Sequence, residues 1–186
     1  MANLKSIHSL VQKIKSENTY IDIYKICKAL KIDILEKNLG KNDTAIKGFF
    51  VHHCRIKAII INSDMPENLK RIILAHELGH ALLHTEKGIK TFQESCIFKI
   101  NNSLEKEANQ FAADLLIDED KFMELCQLEY SCEAVAAYLQ VPVQLLCYKW
   151  EMMEEYNENL GEFPFQAKNN FLRDLEIPKI DDDYIY

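Results

Sequence analysis

"RIILAHELGHALLHTEKG", residues 71–88, is the stretch on which the reading of the whole chain turns. Three histidines, His76, His80 and His84, stand four residues apart, and Glu77 follows the first of them. From Pro66 through His84 the pattern runs without a breaker. It predicts one helix, begun at Pro66 with Ser63 or Asp64 as cap and Glu67 in the first turn, and stopped at Gly88. On such a helix His76 and His80 lie about 40° apart on the wheel and roughly 6 Å apart along the axis, so their imidazoles can converge on one ion. Glu77 sits about 100° round from His76, on the flank of that ion. This is the H-E-x-x-H arrangement, in which two histidines hold zinc and the glutamate takes a proton from the water that the zinc activates. His84 fails the same test, because its backbone is about 12 Å along the axis from that of His76.

A third ligand must therefore come from elsewhere. A histidine ten residues after the first is absent, since Glu86 stands there, and Leu83 replaces the glycine that accompanies such a histidine. Acidic groups on a later helix remain. In "SLEKEANQFAADLL", residues 103–116, the apolar face is made by Leu104, Ala108, Phe111, Ala112 and Leu115, with Glu107 at its edge. A carboxylate there is costly unless something positive meets it, and zinc would do so. Glu105 and Lys106 are expected to point outward. Asp114 reads either as an ordinary helix-edge acid or as a partner fixing a histidine tautomer. A bare H-E-x-x-H match is common by chance. Here the helix carries apolar residues on both sides, Leu69, Ile72, Ile73 and Leu83 with the histidines and Leu74, Leu78 and Leu82 opposite, as suits a rigid site. Gly79 lets a neighbouring element come close.

Around this core the chain reads as α+β. Amphipathic helices are expected over 3–16 and in "IDIYKICKALK", then a strand in "IDILEKNL". Two further strands, parted by a turn near Arg55, fall in "KGFFVHHCRIKAIIINSD", giving a small sheet expected to be antiparallel. Helices follow at 103–117, 118–128, 131–139 and 143–157, without an internal repeat. The boundaries are a single domain over 1–158 and a C-terminal tail over 159–186, packed on the domain or mobile. The helix-turn-helix outline of "AVAAYLQVPVQLLCYKWEMM" has a single lysine and acidic neighbours, which favours packing over DNA reading. His52 and His53 are expected at a strand end. Net charge −7 argues against direct nucleic-acid binding but suits a basic protein partner. The six cysteines form no C-x-x-C pair and read as free thiols. With no apolar run long enough for a membrane span and no visible signal segment, the expected location is cytoplasmic.

"AIIINS" (58–63), "ILAHELGHALLH" (73–84) and "EKEANQFAADLLI" (105–117) together resemble the ImmA/IrrE metallo-endopeptidases of bacteria and their mobile elements. The resemblance covers roughly residues 20–145, and the paired motifs are far more specific than H-E-x-x-H alone. It implies a small zincin-like domain, mostly helical, with one Zn2+ on His76, His80 and Glu107 and with Glu77 as general base. It also implies cleavage of a helix-turn-helix transcriptional repressor that controls a prophage, another mobile element or a stress response. One departure is that the family's proline after "FAADLL" is replaced by "IDEDKF". The alternative is a zinc-containing regulatory module that grips a repressor or other partner without cutting it. His84, His52 and Tyr138 are the residues considered for stabilising an oxyanion.

Overall fold

The computed structural model describes residues 3–18, 20–42, 45–54, 56–84, 103–128, 130–158 and 160–165. Gly88, Glu86 and all but the first residues of the C-terminal tail lie outside them. The order is α1 (Leu4–Ser16), α2 (Ile23–Ala29), β1 (Asp33–Lys37), β2 (Gly48–His53), β3 (Ile56–Asn62), α3 (Glu67–Leu83), α4 (Ser103–Leu116), α5 (Glu119–Gln127), α6 (Cys132–Leu139) and α7 (Val143–Glu154). The class is α+β, as the patterns predict. Caps sit where short polar residues precede apolar periodicity: the side chains of Asn3, Asp22, Asp118 and Ser131 each accept a backbone N–H from the first turn of α1, α2, α5 and α6.

The sheet is mixed, not antiparallel. Its order is β1-β3-β2, with β2 antiparallel to β3 and β1 parallel to it, Asp33 facing Ala58 and Lys37 facing Asn62. The turn through Cys54 forces β2 and β3 to run in opposite senses. Alternation of side chains cannot say which neighbour β1 joins, and by joining β3 it runs parallel instead of antiparallel. β3 is central, and Ala58, Ile59, Ile61 and Asn62 on it are buried.

Asn62 ties this sheet to the helix that follows. Its Oδ1 accepts from the backbone N–H groups of Leu39 and Asp64, and its Nδ2 donates to the carbonyls of Gly40 and Ile46. α3 then starts without a side-chain cap. Pro66 occupies the capping position, while the Ser63 and Asp64 backbones bond to Lys37 and Asn62 instead, so neither acts as the predicted cap. α3 packs on β2 and β3 along one side and on α4 along another, and α4 also packs on α1 and α7. Two glycines permit this closeness. A Cβ on Gly79 would lie 3.2 Å from the Ala108 backbone and the Phe111 ring, and one on Gly48 would meet Ile73 Cγ2 at 2.7 Å.

α6 and α7 do form a helix-turn-helix outline, turning at Gln140 in the left-handed region. α7 buries Leu145, Leu146, Trp150, Met152 and Met153, so it is a core helix and not a reading helix. Phe163, at the start of the tail, is buried and meets Trp150 edge-on at 5.5 Å. Cys27, Cys54, Cys126, Cys132 and Cys147 are free. Among the described residues no helix is long and apolar enough to cross a membrane.

Candidate metal centre

α3 presents His76 and His80 one turn apart, both buried, with their Nε2 atoms 3.0 Å from each other. Glu105, in the first turn of α4, brings its Oε2 to 3.3 Å from His76 Nε2 and 3.4 Å from His80 Nε2. Three donors at bond lengths near 2.0–2.1 Å in a tetrahedral shell stand roughly 3.3 Å apart, so this triangle has the size of one face of a zinc coordination sphere. The two imidazole nitrogens and one carboxylate oxygen are also the donor types of an open, water-accepting zinc site. The residues present therefore fit the ion.

Glu107 does not stand in this triangle. Its Oε2 lies 3.2 Å from Nε2 of His84, and its buried Oε1 has no hydrogen bond among the described residues. Glu105, expected to point outward, is only 6% exposed. The wheel placed Glu107 at the edge of the buried face, and it is buried; it misplaced Glu105 because it assumed a single buried face. α4 is covered by α3, α1 and α7 together, and every residue from Glu107 to Leu116 is buried. Glu105 and Asn109, four residues apart on one stripe, are the pair that reaches His76 and His80. The small residues Gly79 and Ala108, where the two helices touch, were the available signal for that stripe.

Asn109 was not anticipated. Its Oδ1 lies 2.8 Å from His76 Nδ1, so the imidazole donates its Nδ1 proton there and leaves Nε2 bare toward the triangle. His80 makes the corresponding contact through Nδ1, 2.9 Å from Nδ1 of His84. Burial, aided by the neighbouring imidazoles His76 and His84, holds His80 down at about 4 against the pull of Glu105. His80 is thus neutral and available as a donor throughout the physiological range.

Asp114 does not touch these histidines. It pairs with Lys149 and with His8 on α1 instead. His52 and His53 do close β2, as expected, and His53 Nε2 lies 3.2 Å from Cys54 Sγ. Tyr138 stands exposed on α6 beneath Lys121.

Glu77 is completely buried on α3, and among the described residues neither carboxylate oxygen has a hydrogen bond of ordinary geometry. Its proton affinity is raised well above the usual carboxylate range, first by desolvation and then by the charge of Glu105; only the nearby Phe50 backbone amide opposes this, and weakly. A raised carboxyl binds in the folded state a proton that the unfolded chain has already released. Its contribution to stability is whole below the ordinary value of 4.5 and is lost as pH rises through the folded value. In urea unfolding of the metal-free protein from pH 5 to 8, Glu77→Gln should therefore gain on the parent progressively as pH rises. A difference independent of pH would mean that Glu77 is not desolvated in this way.

Comparison with known proteins follows the same lines. The family model of the IrrE N-terminal-like domain, Peptidase M78, matches residues 27–151, which hold the sheet, α3, α4 and the whole triangle. Metallopeptidase ImmA of Bacillus subtilis (strain 168) is 28% identical over 172 residues, covering 88% of this chain and 95% of that protein. Uncharacterized immunity region protein 2 of Bacillus phage phi105 is 29% identical over 140 residues, covering 75% of this chain and 84% of its own. A buried two-histidine, one-carboxylate cluster on helices within the matched span is what a metallopeptidase requires, and this chain belongs to the Peptidase M78 family of IrrE N-terminal-like domains.

Proposed function

We propose that the protein is a zinc-dependent endopeptidase whose ion is held by His76, His80 and Glu105, with Glu77 as general base. The observation that carries this reading is the donor triangle of 3.0, 3.3 and 3.4 Å with the fully buried carboxylate of Glu77 on the same helix. When bound, zinc would supply Lewis acidity, making a water easier to deprotonate and polarising a scissile carbonyl.

The chain's own residues supply the rest. Asn109 and His84 orient the two imidazoles so that both Nε2 atoms face the triangle with Glu105 that would hold the ion. Glu77 would receive the proton of the attacking water at its carboxylate and then return that proton to the departing amine. The packing of α3 against the sheet and α4 fixes these groups on rigid elements.

The proposed substrate is a helix-turn-helix repressor of a mobile element or stress response, met in the cytoplasm. Support comes from the resemblance to the ImmA/IrrE proteins and from the net charge of −7, which complements a basic DNA-binding protein. The test is incubation of the zinc-loaded protein with the helix-turn-helix protein encoded beside its gene. A defined cleavage product is expected, formed about 100- to 10,000-fold more slowly by Glu77→Gln. A stable complex without any product would instead favour a regulatory module that grips its partner.

A further inference from the structure

His84 and Glu107 remain after the triangle is assigned. Both are buried, and the two side chains meet each other behind His80. Resting on the zinc reading above, we propose that Glu107 and His84 form a positioning relay, which fixes the tautomer of His80 and thereby sets how tightly the protein holds its ion.

The polarity of the relay follows from what each atom can do. An ionised carboxylate only accepts, so His84 must carry a proton on Nε2 to bond Glu107 Oε2 at 3.2 Å. A neutral His84 then has a bare Nδ1, which accepts across 2.9 Å from Nδ1 of His80. With its proton on Nδ1, His80 presents a bare Nε2 toward His76 and Glu105. The opposite polarity would put a proton on His80 Nε2, where a ligand needs a lone pair. One carboxylate at the far end thus orients two imidazoles in series, while the other ligand histidine, His76, is held by the simpler amide contact of Asn109.

The relay also accounts for two buried features of this region. The third histidine at equal spacing is too far along α3 to join His76 on one ion, yet it is buried beside His80. Glu107 is an acid in the core, and His84 is the group that meets it.

The test is zinc affinity by competition with a chromogenic chelator, in the full chain, for the parent, His84→Leu and His84→Asn. Asn can place its Oδ1 where the accepting Nδ1 stood, and Leu fills similar space without an acceptor. His84→Leu should bind zinc about 10- to 100-fold more weakly, the usual effect of losing a partner behind a ligand histidine, and His84→Asn should recover most of that. Nitrogen-15 NMR of the zinc-loaded parent should show a slowly exchanging proton on His80 Nδ1 that is lost in His84→Leu. One zinc per chain in the parent, with unchanged affinity in His84→Leu, would overturn the relay and leave the zinc site standing. Equal weakening in Leu and Asn variants, both as stable as the parent when metal-free, would show that the imidazole only packs, and would also overturn it. A parent chain that holds no stoichiometric zinc would overturn the relay together with the reading on which it rests.

Discussion

Glu105→Ala should strip zinc from the purified protein, whereas Glu107→Gln should leave one ion per chain. The two glutamates lie two residues apart on α4 and are equally buried, so burial and helix position do not separate them. Their contacts do. Glu105 Oε2 is within 3.4 Å of Nε2 of both His76 and His80, while among the described residues Glu107 Oε2 meets Nε2 of His84. Removing Glu105 leaves two imidazoles to hold the ion alone, and the affinity should fall well beyond the roughly 10- to 100-fold expected for loss of an outer partner. Glu107→Gln should stay within that range, because it alters only the far end of the His84 contact. Metal content after dialysis against a mild chelator, followed by competition titration, measures both. Retention of zinc by Glu105→Ala and its loss in Glu107→Gln would return the third-ligand role to Glu107, the residue that the helical wheel and the family resemblance favoured.

The largest loss of stability should come from a residue outside the metal centre. Asp114 and Lys149 are both completely inaccessible, with Lys149 Nζ 2.7 Å from Asp114 Oδ1. Around them Asp114 Oδ2 bonds His8 Nδ1 at 2.9 Å, Lys149 reaches Glu119 at 3.3 Å, and the Tyr156 hydroxyl donates to Glu119 at 2.6 Å. This network joins α1, α4, α5 and α7 through charge instead of apolar contact. Asp114→Ala would strand the Lys149 ammonium in the core beside the partly exposed Glu119, with Lys15 as a second nearby cation. Breaking one side of a buried pair costs about 3–5 kcal/mol, a large share of the roughly 5–15 kcal/mol that holds a domain folded. The double change Asp114→Leu with Lys149→Met removes both charges at once and should lose clearly less. Urea unfolding of the metal-free variants measures this. An Asp114→Ala protein as stable as its parent would mean that Lys149 releases its proton or finds water at little cost.

The sequence by itself determined the α+β class, every described helix to within a few residues, and the convergence of His76 and His80 on one helix face. These depend on local rules: the 3.6-residue period sets which side chains share a face, short polar residues mark the caps, and the rise of the helix keeps His84 from sharing one ion with His76. What lies between elements was decided only in the tertiary structure. β1 took the free edge of β3, which made the sheet mixed, since alternation carries no information on pairing sense. Gly79 against Ala108 set how α4 lies on α3, and that placement aimed Glu105 and Asn109 at the histidines while it sent Glu107 to His84. A helical wheel assumes one wet side. α4 has none along most of its length, so the polar positions of its sequence marked interior contacts instead of solvent.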